Sequence, residues 1–250
     1  MSRVAVITGS NGGIGRALCL AFAEAGYRVI GMDRTAAPAD AAVTHAAVTI
    51  PCDLRVFASE TPERAAMFRA LREAIGGGGL NVLVNNAAVQ LLNSTDELSA
   101  EEVQETLATN LIAPLMLVQG LLGALECAGG SVINIGSVHG TATKPGFVSY
   151  ATSKAALAGL TRALAVDLGG RVRVNTISPG AISTPMLEAG FAGRPAARHQ
   201  LDAVHPLGRV GTATEVAAAA VFLASAEACN ITAVELRVDG GVAARLHDPV

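Results

Sequence analysis

Tryptophan is absent from this chain of 250 residues, and tyrosine occurs only twice, at Tyr27 and Tyr150. Aromatic residues make up 3% of the sequence and charged residues 16%. The net charge is −3, from 18 Lys+Arg against 21 Asp+Glu, and no basic run is present. Nucleic-acid binding therefore lacks both of its usual supports, a basic face for phosphates and aromatic planes for bases. No uninterrupted apolar run reaches the roughly 20 residues that cross a bilayer. The longest, 111–118 and 216–224, read as buried helix, and no membrane partner is expected. Met1-Ser2-Arg3 leads straight into a strand-like stretch, with no sign of a signal peptide. The four cysteines (Cys19, Cys52, Cys127, Cys229) are far apart and lack CxxC spacing. The five histidines (His45, His139, His199, His205, His247) lack ligand spacing. These absences argue against a disulfide framework and a structural metal, and for a reduced, cytoplasmic setting.

What is present is Ala, Val, Leu and Gly. Apolar residues reach 51% and the mean hydropathy is +0.44, so the chain can bury a large core and is not disordered. Strand-like β-branched runs at Arg3–Thr8, 27–32, 48–52, 80–84, Ser131–Ile135, 171–177 and 232–238 alternate with helical patterns at 14–25, 61–75, 99–120, Val148–Leu168 and 212–225. Thr61 and Pro62 open the second helix, Pro114 is expected to bend the third, and Thr212 with Glu215 makes a capping box for the last. The stretch 36–47 is Ala-rich and weakly patterned. Connections this long exclude hairpins. The expected fold is α/β: a Rossmann-type doubly wound parallel sheet of about seven strands, helices on both faces, residues 1–250 forming a single domain. Residues 185–206 hold three prolines and read as a mobile flap over the substrate.

The first strand-to-helix junction reads Thr8-Gly9-Ser10-Asn11-Gly12-Gly13-Ile14-Gly15. Glycine allows a tight turn and lets backbone approach a phosphate, and the helix N-terminus offers unpaired N–H groups and a positive dipole end. Asp33 ends the second strand; a carboxylate there accepts from ribose hydroxyls and repels a 2′-phosphate, which points to NAD over NADP. Arg34 is the counter-evidence, since it can pair with that phosphate. Tyr150 and Lys154 lie four apart on one helical face, where an ammonium lowers the pKa of a phenol and makes it a usable acid/base. Ser137 follows the fifth strand, at the carboxyl edge where open parallel sheets bind ligands. Asn110 is a short amide in mid-helix, an unfavourable place without a further reason.

With its G-x-x-x-G-x-G spacing after Thr8, the glycine-rich turn resembles that of classical short-chain dehydrogenases/reductases, and the later motifs follow in that family's order over nearly the whole chain. The resemblance implies catalysis by Asn110, Ser137, Tyr150 and Lys154. It implies cofactor contacts from Gly9, Asn11, Gly13, Ile14, Gly15, Asp33, Arg34, Asp53, Leu54, Asn86, Ala87, Tyr150, Lys154, Pro179, Gly180, Ile182 and Thr184. Asp53 matches the position that bonds the adenine amino group, and Ile182 and Thr184 those that hold the carboxamide. Asn110 would anchor a water serving Lys154. Asn85-Asn86-Ala87-Ala88 has Ala88 where the family has glycine, which costs about 1 kcal/mol if the backbone there needs a positive φ.

The implied reaction is hydride transfer between NAD(H) and a secondary alcohol or ketone, with Tyr150 as general acid/base and Ser137 orienting the oxygen. Gln90 and His139 face the substrate in this reading. They resemble the carboxylate contacts of 3-hydroxybutyrate dehydrogenases, but Phe147 stands where that group has lysine, and polyols or sugars fit equally. An NADP-dependent 3-ketoacyl reductase is the alternative, and a non-catalytic NAD-binding regulator a third reading that the presence of Tyr150 and Lys154 opposes. The resemblance also implies a homotetramer, with the tail 245–250 reaching a neighbouring subunit's site.

Overall fold

The computed structural model describes residues 2–35 and 45–246. In chain order the strands are β1 (Arg3–Thr8), β2 (Tyr27–Asp33), β3 (Val48–Pro51), β4 (Val82–Asn85), β5 (Ser131–Ile135), β6 (Arg173–Pro179), β7 (Ile182–Ser183), β8 (Gly211–Thr212) and β9 (Glu235–Val238). The helices are α1 (Gly13–Glu24), α2 (Pro62–Ile75), α3 (Ala100–Leu107), α4 (Ala113–Cys127), α5 (Val148–Leu168), α6 (Pro185–Gly190), α7 (Pro195–Val204) and α8 (Ala213–Ala224). Most of weakly patterned 36–47, namely 36–44, and tail residues 247–250 lie outside the described residues.

Seven strands form one parallel sheet in the order β3-β2-β1-β4-β5-β6-β9, as the doubly wound reading requires. Side chains alternate across each strand, so both faces need cover. Val4 and Val6 of β1 enter one core with Phe68 and Leu71 of α2, Leu117 and Leu121 of α4 and Leu168 of α5. Ala5 and Ile7 enter the other with Leu18 and Phe22 of α1 and Val216 and Leu223 of α8. The order reverses between β1 and β4, and the loops leaving these strands diverge there to open a crevice at the carboxyl edge.

The caps act as their residue types predict. Thr61 accepts from Arg64 N at the start of α2, and Thr212 and Glu215 form the capping box of α8. The third helix differs from expectation. A π-helical turn at Ala108–Ile112 joins α3 to α4, and the helix runs on to Cys127. The wide turn precedes Pro114, whose missing N–H falls in the first turn of α4, so the helix passes the proline without ending. It also passes Gly120 because that glycine makes room for a neighbour: a Cβ there would lie 2.1 Å from Phe68. By length and composition alone, Ala100–Cys127 is apolar enough to cross a bilayer. Leu117 and Leu125 are instead fully buried in the sheet core.

Three other elements depart from the expectation. The expected strand at 80–84 begins at Val82. The last strand is shorter than 232–238, because Thr232 Oγ1 rather than a backbone carbonyl accepts from Val174 N and Ala233 takes φ +63. Residues 185–206 form the helices α6 and α7, and β7 pairs with β8 across the base of this excursion.

Candidate active site

The glycine-rich turn is held by contacts that leave no room for side chains. Gly9 has φ +65, and a Cβ on it would meet Ala87 Cα and Asn86 Nδ2, each at 2.9 Å. A Cβ on Gly15 would lie 1.9 Å from Gly9 O, and one on Gly13 would lie 2.8 Å from Thr184 Cγ2. α1 starts without a side-chain cap and without an acid in its first turn, so its N–H groups and dipole end are free for an anion. Thr8 ties this turn to the loop after β4: its Oγ1 accepts from Asn86 N and Ala87 N, both at 3.0 Å. Asn86 Nδ2 donates back to Thr8 O (2.8 Å) and Gly9 O (3.1 Å).

Asp33 sits beside the turn as expected. Its Oδ2 accepts from Asn11 N at 3.0 Å and its Oδ1 from Thr35 N at 3.2 Å. Asn11 Nδ2 donates to Thr35 O, while Asn11 Oδ1 is buried with no partner. The half-buried carboxylate of Asp33 stands beside the glycine-rich turn as an acceptor. Arg34 is exposed. A dinucleotide fits what these residues offer: a cradle that Cβ atoms would fill, a bare helix end for a diphosphate, and acceptors for hydroxyls.

Asp53 performs a local task, accepting from Arg55 N at 3.0 Å and pairing with Arg55 Nη2 at 2.6 Å, with Leu54 buried beside it. The Arg55 hydrogen bond and charge hold its carboxyl below the usual range. Pro179, Gly180 and Ile182 carry the chain from β6 into β7, and Thr184 caps α6 by accepting from Leu187 N. Among the described non-glycine residues only Ala233 has a positive φ, so Ala88 is unstrained.

Ser137, Tyr150 and Lys154 converge at the carboxyl edge of β5. Lys154 is fully buried and its Nζ donates to Ile135 O at 2.7 Å, lying 5.6 Å from the Tyr150 ring centroid. Burial pulls the ammonium down to about 8. Burial pushes the Tyr150 phenol above its ordinary value, and the neighbouring Ser137 hydroxyl acts the other way.

Asn110 is buried in the π-helical turn. Its amide pairs with the backbone of Val89, accepting from N and donating to O, both at 2.9 Å, and donates to Ser153 Oγ at 3.0 Å. It thus pins the loop after β4 to α5. Ser153 was not singled out by sequence, yet it donates to Tyr150 O at 2.7 Å and completes this link. Its placement three residues after Tyr150 was the available signal.

His139 lies at the site, stacked on Phe147 at 4.2 Å between centroids and edge-on to Tyr150 at 6.0 Å. Its Nδ1 pairs with Thr143 Oγ1, and burial with the nearby Lys144 charge lowers its pKa, which favours a neutral ring. Phe147, the residue that broke the hydroxybutyrate pattern, therefore builds the wall behind the tyrosine. Gln90 is exposed on the loop after β4. His199 is exposed, whereas His205 is buried at the end of α7. Arg198 is bound by Glu188 and Asp202.

A family model described as enoyl-(acyl carrier protein) reductase matches residues 9–243. The chain is 36% identical over 241 residues to a galactitol 2-dehydrogenase (L-tagatose-forming) of Cereibacter sphaeroides, covering 95% of this chain and 93% of that one. It is 35% identical over 243 residues to a D-threitol dehydrogenase of Mycolicibacterium smegmatis, covering 96% and 92%. Among solved structures, a provisionally assigned 2-deoxy-D-gluconate 3-dehydrogenase from Agrobacterium tumefaciens, with NADP bound, superposes with a TM-score of 0.85 at 30% identity over 97% of both chains.

Proposed function

Because the chain belongs to the short-chain dehydrogenase/reductase family and is an oxidoreductase of CH–OH groups, we propose that it is an NAD(H)-dependent dehydrogenase that interconverts a secondary alcohol and a ketone. Polyols and sugars are the substrate class of first choice. The observation that carries the reading is the convergence of Ser137, Tyr150 and Lys154 at the carboxyl edge of β5, where Lys154 Nζ lies 5.6 Å from the Tyr150 ring centroid. The nicotinamide, when bound, supplies the hydride acceptor or donor.

In oxidation, Tyr150 as phenolate takes the proton of the substrate hydroxyl, and Ser137 orients that oxygen and stabilises its partial charge. Lys154, with the donors left after Ile135 O, holds the nicotinamide ribose. Asn110 and Ser153 keep the loop after β4 in register with Tyr150. The neutral ring of His139 and the amide of Gln90 offer hydrogen bonds to further hydroxyls, as the threitol and galactitol relatives make reasonable. The Asp33 carboxylate beside the turn favours ribose hydroxyls and disfavours a 2′-phosphate.

The second reading, an NADP-dependent ketoacyl reductase, draws on Arg34, on the NADP-bound neighbour and on the acyl carrier protein in the family description. Calorimetric titration with both cofactors, followed by a screen for NADH production on polyols, aldoses, hydroxy acids and cyclic alcohols, tests both. Tight NADP and weak NAD binding would overturn the cofactor assignment. No NADH from any polyol or aldose, with turnover of a ketoacyl thioester, would overturn the substrate class.

A further inference from the structure

We infer that Arg245, beyond the last strand, is a positioning residue for the substrate flap of its own chain. The inference rests on the reading that α6 and α7 cover the substrate. These helices move as one body, because Glu188 of α6 pairs with Arg198 of α7 at 3.3 Å and Arg198 pairs with Asp202 at 2.7 Å. The body is tied to the rest of the chain at two places near the end of α7. Asp202 Oδ1 accepts from Val210 N at 3.0 Å. Arg245 Nη1 donates to Ala203 O at 2.9 Å and to Val204 O at 3.1 Å, the last carbonyls of α7.

Terminal helix carbonyls have no partner within the helix, and a cation there also meets the negative end of the dipole. Arg245 answers both needs from 41 residues further along the chain. Its own position is fixed by the turn before it. Asp239 accepts from Gly241 N (2.9 Å) and Ala243 N (3.1 Å), and Leu207 N donates to Gly240 O. A Cβ on Gly180 would lie 3.0 Å from Asp239 Cα, and one on Gly241 would lie 3.0 Å from Pro206. The turn therefore touches both the segment entering the flap and the segment leaving it.

The test uses the full-length protein and a substrate found in the screen. Arg245→Ala is expected to raise KM for the alcohol about tenfold, the scale of a lost charged hydrogen bond pair. The values of kcat and of the NAD Kd stay near wild type, and amide exchange rises in 195–207. Arg245→Lys restores most of the KM, since an ammonium can reach the same carbonyls. A Leu187→Ala/Phe191→Ala variant probes the flap itself. If that variant changes KM while Arg245→Ala leaves both KM and exchange unchanged, the inference about Arg245 falls and the flap reading stands. If the double variant leaves KM unchanged, the flap reading falls. Local exchange distinguishes loosening of α7 from global unfolding.

Discussion

Tyr150 is half-buried, and desolvation pushes its phenol above the ordinary value, towards the protonated form. The neighbouring Ser137 hydroxyl acts the other way, towards the phenolate. Tyr150→Phe should cut turnover by on the order of 10³-fold while NAD affinity stays nearly unchanged, as checked by NADH production and calorimetry. Alcohol oxidation needs the phenolate, so kcat/KM should rise with pH above neutrality. Ser137→Ala removes a hydroxyl that lowers the phenol pKa, so the ascending limb of the pH–rate profile should move to higher pH. A limb that stays in place or moves down would disprove the coupling. Tyr150 and Lys154 were legible from spacing, because a four-residue interval fixes a shared helical face. Ser153, the Ile135 partner of Lys154 and the stack of Phe147 on His139 were not, because they depend on where β5 and the loop after β4 lie relative to α5.

Two elements invite tests of packing and of charge. Gly120 of α4 is occupied in space by the Phe68 ring of α2. Gly120→Ala should therefore destabilise the fold by about 1–3 kcal/mol through overpacking, measured by urea unfolding. An unchanged midpoint would mean that α2 shifts freely. The flap depends instead on charge. Hydrogen bonds from Arg198 hold the carboxyls of Glu188 and Asp202 below their usual values. Such groups stabilise the folded arrangement above their unfolded pKa values, and that contribution is lost as pH falls through the depressed folded values. Pepsin cleavage within 191–204 should accordingly rise below roughly pH 4. Arg198→Ala should show this cleavage already at pH 5. The sequence placed three prolines here and invited a loop reading. Pro185 and Pro195 instead stand in the first turns of helices, where a missing N–H costs nothing.

At the scale of the molecule, the helix running from Ala100 to Cys127 has an 18-residue apolar window of which 44% is buried within one chain. Val148 and Val166 of α5 are exposed beside it. We propose that further copies cover these faces in a homotetramer. Light scattering should return about 101 kDa, four times the 25.2 kDa chain. A mass near a single chain at micromolar concentration would refute this.

The sequence by itself determined the doubly wound class and singled out the glycine-rich turn and the four residues we propose for the chemistry. Strand and helix periods, glycine spacing and capping residues are local signals, and each acts within a few positions of chain. Only the tertiary structure decided what crosses between elements. It decided that a π-helical turn carries the chain past Pro114, that Asp53 caps its own turn, and that Lys154 donates to Ile135 O. It also placed Arg245 against the end of α7. Each of these depends on two segments meeting at ångström distances, and a one-dimensional pattern carries no record of that meeting.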